Sequence, residues 1–257
     1  MLARRTVLKG LAGGVAGLPL AVVLAKPELA RAAAEALEAV SLTTPGGRTV
    51  IAALAIPMRT PAPAVLLVHE WWGLNDQIKT VAAEFANQGY TALAVDLYDG
   101  KVATTRDSAR AYMQQVDAAA ATETLAAWID WLKGHPAVTG KIGTVGWCFG
   151  GGWSLNASLA RKVDATVVYY GRVTKTAAEL AALDGPVLGH FATLDKFINR
   201  TMVGGFEKAM DAAGKTYESH WYEADHAFAN PTGARYDADD AALAWKRTLA
   251  FFAAHLR

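Results

Sequence analysis

The sequence has little of what several common architectures depend on. Cys148 is the only cysteine in 257 residues, so no internal disulfide can form. No cysteine pair, HExxH or EF-hand spacing is present, which removes the local metal motifs. No Gly-Lys-Ser/Thr follows a glycine-rich turn at the spacing of a P-loop. Neither charge dominates: 25 Lys and Arg against 24 Asp and Glu leave a formal +1, so nothing points to nucleic acid or an acidic partner. Beyond the N-terminal segment there is no low-complexity linker, and no long-period repeat. Nor is there an apolar run of the roughly 20 residues that a membrane-spanning helix needs. The nearest stretch, Gly10 to Ala25, is short and interrupted by glycine, so no stable membrane insertion is expected.

What the N-terminus does carry reads as an export signal. Arg4-Arg5-Thr6-Val7-Leu8-Lys9 is a twin-arginine core ahead of that uncharged stretch. Ala30-Arg31-Ala32 has the A-x-A pattern of a signal peptidase site. The pattern predicts a signal over residues 1–32, read by the twin-arginine export machinery and removed near Ala32. An uncleaved membrane anchor is the competing reading. Residues 33–257 are then one domain, periplasmic or secreted, and 53% hydrophobic residues in the chain suit a single globular core.

From Glu38 onward strand and helix patterns alternate. Glu38 to Thr44 and Arg48 to Ile56 flank Pro45-Gly46-Gly47, a hairpin by turn chemistry. Ala64 to His69 and Thr91 to Val95 are continuous apolar runs, as expected of strands buried on both faces. Between them Asp76 to Gln88 has helical spacing and stops at Gly89. Arg106 to Lys133 is one long helix or two. Strands follow at 141–145, 164–170, 186–191 and 217–222, interleaved with helices at 153–160, 176–183, 199–213 and 239–256. This alternation predicts an α/β fold, a mainly parallel sheet with helices on both faces. In such sheets reactive groups gather beyond the carboxyl ends of the strands.

One such end is Gly146-Trp147-Cys148-Phe149-Gly150-Gly151-Gly152. Strand, Gly-x-nucleophile-x-Gly, helix is the pattern of a nucleophile elbow, here with cysteine in the central place. Gly146 and Gly150 keep side chains out of the crowded flanks of the turn. The N–H of Phe149 and the helix N-terminus favour a thiolate and an oxyanion alike. A buried, inert cysteine in a tight turn is the bland alternative. Asp195 follows the strand at 186–191 and His226 the strand at 217–222, giving the chain order nucleophile, acid, histidine. His226 would take the thiol proton and later protonate the leaving oxygen, while Asp195 would hold the ring in one tautomer. The other histidines lie at helix ends or in strands, and Asp225 competes with Asp195 for the acid role.

Val68-His69-Glu70-Trp71-Trp72-Gly73-Leu74-Asn75, the elbow Gly-Trp-Cys-Phe-Gly-Gly and His226-Ala227-Phe228 together resemble the dienelactone hydrolases (carboxymethylenebutenolidases). The resemblance runs from about Pro45 to the C-terminus. It implies an α/β-hydrolase fold, a Cys148–Asp195–His226 triad and hydrolysis of a small-molecule ester or lactone without a cofactor. It also implies that Glu70 lies against the cysteine and accepts its proton when substrate arrives, and that Trp71 adds a second oxyanion N–H beside Phe149. Tyr170 matches a tyrosine that lines the family's pocket. The chain departs from the family where arginines commonly hold a substrate carboxylate. Asn230 stands at one of these positions, and Asp96 to Gly100 has only Lys101 nearby at the other. A neutral substrate contact is therefore expected from Asn230, with Trp147 beside Trp71 and Trp72 crowding the mouth with apolar surface. The reading from another class is a non-catalytic ligand- or partner-binding module on a hydrolase scaffold; an intact set of three argues against it.

Overall fold

A computed structural model describes residues 20–24 and 26–257. The twin-arginine stretch from Arg4 to Lys9 lies outside the described residues. Two short helices come first, α1 (Leu20–Leu24) and α2 (Pro27–Glu35). Strands β1 (Glu38–Thr43) and β2 (Thr49–Ala55) form the expected antiparallel hairpin. Next are β3 (Ala62–Val68), α3 (Asp76–Asn87) and β4 (Thr91–Val95). The long helical stretch resolves into α4 (Arg106–Gln115) and α5 (Ala118–Gly134). The break has a local cause: Val116 is extended, and the Asp117 side chain caps α5 by accepting from the Ala120 N–H at 2.8 Å. The chain continues through β5 (Val138–Trp147), α6 (Phe149–Ala160), β6 (Ala165–Tyr169) and α7 (Ala177–Leu180). It closes with β7 (Val187–Ala192), α8 (Arg200–Ala212), β8 (Tyr217–Tyr222) and α9 (Ala238–Leu256).

All eight strands share one sheet in the order β1-β2-β4-β3-β5-β6-β7-β8. β4 through β8 run parallel, and the hairpin adds an antiparallel edge through β2. Strand alternation sends neighbouring residues into different cores. Val65, Leu67, Val145 and Tyr169 face a cluster with Phe85 of α3 and Phe252 of α9. Leu66, Val68, Leu93 and Val95 face a cluster with Trp128 and Leu132 of α5. Side chains of this kind contribute about 1.5–3 kcal/mol each when fully buried. That explains why the central strands read as unbroken apolar runs.

Polar side chains fix two helices to this sheet. Thr144 of β5 pairs with Ser158 of α6 at 2.9 Å, and Ser154 Oγ donates to the Val167 carbonyl at 3.0 Å. Thr166 Oγ1 donates to Ser158 Oγ at 2.6 Å, so the buried hydroxyls between α6 and the sheet satisfy one another. On the other face Thr248 of α9 meets Tyr169 OH at 2.7 Å and His190 Nε2 at 3.0 Å.

The direction of the crossovers reverses at β3: the chain leaves it for β4 on one side and returns to β5 on the other. Ligands of open α/β sheets bind beyond the strand ends at such a point. Glu70 and Cys148 follow β3 and β5 there.

At the N-terminal side, α1 and α2 lie on α3. Leu24 and Ala30 belong to the core with Phe85, and Thr80 Oγ1 donates to the Ala30 carbonyl at 2.9 Å. The boundary expected at residue 32 therefore falls inside α2, whose helical bonding runs from Pro27 to Glu35. A cavity of about 1320 Å³ is walled by Leu20 and Leu24 of α1, Val81 of α3, Trp245 of α9, Trp147 and Tyr169.

Candidate active site

Cys148 stands between β5 and α6 with φ +55° and ψ −117°, a backbone conformation that L residues rarely adopt. The glycines around it explain how the turn closes. A Cβ on Gly146 would fall on the carbonyl oxygen of Gly150, and one on Gly150 would fall on the carbonyl oxygen of Val68. Without side chains there, α6 can start directly against the ends of β3 and β5. The Cys148 N–H donates to the Tyr169 carbonyl at 3.0 Å, which ties the elbow to β6.

Asp195 and His226 come from the loops after β7 and β8, as the sequence predicted. His226 Nε2 lies 3.1 Å from Cys148 Sγ, and His226 Nδ1 lies 2.6 Å from Asp195 Oδ2. The other Asp195 oxygen accepts the N–H groups of Phe197 and Ile198 at 2.8 and 3.0 Å. Asp195 is buried, which by itself would raise its pKa. The hydrogen bonds and the charge of His226 reverse that, and the carboxyl lies below its ordinary range. Burial likewise works against a charged His226, but Asp195 and Cys148 outweigh it and raise the ring to about 10. Asp225 instead caps its neighbour, its side chain accepting from the His226 N–H at 2.7 Å, and is no rival to Asp195.

Glu70 is buried after β3, and among the described residues no hydrogen bond joins its carboxylate to the thiol. Asn230 Nδ2 donates to Oε2 at 2.6 Å and Tyr170 OH approaches Oε1 at 3.4 Å, whereas Cys148 Sγ is engaged by His226. Burial raises the Glu70 pKa; the Asn230 and Tyr170 hydrogen bonds and the charges of His226 and Arg235 oppose this. Asn230, expected at the substrate, is itself buried and spent on Glu70. Tyr170 is fully buried, with its ring 5.2 Å from that of His226.

The N–H groups of Phe149 and Trp71 donate to no acceptor among the described residues. Both flank the turn between β3 and β5. Trp71 and Trp72 are half-buried and pack edge to face at 5.1 Å. Trp147 was expected with them and is not. Its ring stacks on Tyr169 at 5.4 Å, in the core facing α3 and α9. The cause is alternation along β5: Trp147 follows Val145 onto that face.

Two further residues, which sequence reasoning assigned no role, complete the site's frame. His69 accepts from the Leu97 N–H through Nε2 at 3.2 Å, so its proton is on Nδ1, where it donates to the Glu70 carbonyl at 2.5 Å. Burial keeps this ring neutral by lowering its pKa. Tyr98 packs edge-on to His69 at 4.7 Å and against Phe149 at 5.6 Å, with its buried hydroxyl unpartnered. The motif Asp96-Leu97-Tyr98 was visible, but nothing local signals that it supports the turn carrying Glu70.

Comparison with known proteins identifies the family and the fold. The model of the dienelactone hydrolase family matches residues 50–256. A carboxymethylenebutenolidase of Pseudomonas putida is 30% identical over 231 residues, covering 84% of this chain and 96% of its own. A putative carboxymethylenebutenolidase of Methylorubrum extorquens is 34% identical over 210 residues, covering 75% of this chain and 72% of its own. The crystal structure of a putative dienelactone hydrolase from Klebsiella pneumoniae superposes with a TM-score of 0.76 at 26% identity, over 85% of this chain and 99% of that one. The chain belongs to the dienelactone hydrolase family and is an ester or lactone hydrolase on the α/β-hydrolase fold.

Proposed function

We propose that the protein hydrolyses neutral esters or lactones with Cys148 as nucleophile, His226 as base and acid, and Asp195 as the group that orients and charges His226. The observation that carries this is the continuous hydrogen-bonded line from Cys148 Sγ through His226 to Asp195. His226 Nε2 holds the proton drawn from the thiol in the resting pair; Sγ bonds to the substrate carbonyl carbon, and the carbonyl electron pair moves onto oxygen. The N–H groups of Phe149 and Trp71 receive that oxyanion. When the oxyanion collapses, the bond to the leaving oxygen breaks and His226 returns the proton to it. Water, deprotonated by His226, then attacks the thioester; the acid departs and Cys148 is regenerated. In a lactone the leaving oxygen stays tethered to the acyl group.

Substrate charge follows from Asn230. A bidentate arginine contact to a carboxylate contributes about 1.5–3 kcal/mol, and Asn230 supplies none because its amide nitrogen is held by Glu70. Trp71 and Trp72 favour flat apolar groups beside the thiol. The twin-arginine pattern supports a periplasmic or secreted location, with residues 1–32 as export signal. Loss of secretion after joint replacement of Arg4 and Arg5 by lysine would support that location, and unchanged secretion would refute it.

Steady-state kinetics on a neutral aryl ester and a carboxylated lactone test the chemistry. Cys148→Ala and His226→Ala should each remove nearly all hydrolysis, and the double variant should be hardly worse than either. Independent, multiplicative losses would refute a shared line of proton transfer. A native enzyme preferring the carboxylated substrate by about tenfold or more would refute the neutral preference.

A further inference from the structure

The loop after His226 contains a connection that neither the triad nor the oxyanion site uses. Asn230 Oδ1 faces two donors of Thr232, its N–H at 3.0 Å and its Oγ1 at 2.7 Å. A backbone N–H can only donate, so the atom facing it is the amide oxygen and the amide is not free to flip. Nδ2 is thereby aimed at Glu70, 2.6 Å from Oε2. The backbone repeats the constraint: Asn230 N–H donates to the Ala227 carbonyl and Gly233 N–H to the Asn230 carbonyl, each at 3.0 Å. Glu70 and Asn230 are both buried, whereas Thr232 is at the surface. No cation forms an ion pair with Glu70 among the described residues. The charged and titratable groups that reach it are His226, Tyr170 and, from the loop before α9, Arg235. Arg235 itself is 3.8 Å from Asp225 and half exposed.

We propose that Thr232 and Asn230 are positioning residues that hold the buried Glu70 carboxyl through an uncharged donor, and that Asn230 is not a substrate contact. This rests on the reading of Glu70 as part of the active site. Burial makes ionisation of Glu70 costly, and an amide offsets that cost less than a cation would. The identity of residue 230 therefore sets the pH at which a negative charge appears beside the His226–Cys148 pair. Replacing the amide by a cation should favour the carboxylate, and replacing it by a second carboxyl should disfavour it. The two substitutions move ionisation in opposite directions, a signature that a lost substrate contact does not produce.

The carboxyl carbon resonance of Glu70 in ¹³C-glutamate-labelled protein, identified by its disappearance in Glu70→Gln, follows this directly. Asn230→Arg should lower its titration midpoint and Asn230→Asp raise it, each by about one pH unit or more. The acidic limb of kcat/KM for a neutral ester should move with the midpoint. Thr232→Val, a surface change, should raise the midpoint by a smaller amount because the amide oxygen keeps the backbone N–H but loses the hydroxyl, so the amide is held less firmly. If Asn230→Asp does not fold, Asn230→Arg and Thr232→Val decide the matter. Midpoints that stay at the native value while KM alone changes would overturn the proposal and return Asn230 to the substrate. Cys148→Ala separates the two readings: hydrolysis that survives it defeats the cysteine mechanism, whereas the Glu70 titration is read without catalysis.

Discussion

His226 concentrates the electrostatics of the site in one side chain. Its folded pKa of about 10 lies above the 6.5 of a free imidazole, so the folded state holds the extra proton between those values. Stability therefore falls with rising pH in that window: the contribution is complete below about 6.5 and lost as pH passes about 10. The value belongs to the Cys148–His226–Asp195 set rather than to one ring, because the groups titrate together. His226→Gln removes the titration. The difference in Tm between native protein and variant should shrink steadily from pH 6 to 10, by about 2–4 °C per kcal/mol of linkage. A difference that is constant across the window would mean that the ring is neutral in the folded protein. The sequence was enough to select His226, because only its loop position and place in the chain order suited a base. It could not show Asn230 on Glu70, a contact between residues 160 apart that follows from the path of the loop and from Thr232.

At the scale of elements, the elbow depends on how α6 is fastened. Thr144, Ser154, Ser158 and Thr166 satisfy one another in a buried cluster beneath it. Thr144→Val keeps the shape and removes one hydroxyl; Ser154 Oγ keeps the Val167 carbonyl and Ser158 Oγ keeps Thr166, so each loses one partner and retains another. The net loss of a hydrogen bond costs about 0.5–1.5 kcal/mol, so Tm should fall by a few degrees while kcat/KM changes little. A Tm at or above the native value would show that water or local rearrangement replaces the lost partner. The strands were readable because burial on both faces leaves only apolar residues, and their existence and order needed no structure. Side-chain direction at the strand ends was less readable. Trp147 lies next to Cys148 in sequence, yet its ring stacks on Tyr169 in the core, since the last strand residue obeys alternation. The α4–α5 break was left open by periodicity alone, and the Asp117 cap decides it.

For the molecule as a whole, the unexpected part is the seating of α1 and α2. Val23, Leu24, Ala30 and Ala34 are buried, and α1 walls the cavity behind Trp147. A chain beginning at Leu37 loses these contacts but also the ordering entropy of two helices, so the net loss is small. We expect Tm to fall by a few degrees, dye binding to the uncovered apolar face to rise, and turnover of a small ester to stay within about twofold. The last expectation follows because Cys148, His226 and Glu70 do not line that cavity. A tenfold loss of turnover would show that the N-terminal helices reach the catalytic side. The packing of α1 and α2 was not legible, because alanine-rich helices carry no marker of the surface they will cover.

The glycine contacts at the elbow also decide how the protein would respond to directed evolution. Gly146 and Gly150 touch carbonyl oxygens of fixed backbone, so no compensating side-chain change can make room for a substituent. Libraries that diversify these positions would spend most of their members on chains that cannot close the turn. Diversity is better placed at Trp71, Trp72 and Phe197, which are half-buried or exposed. Selectivity in this protein can therefore be bred by altering the rim while the turn that carries the thiol is left untouched.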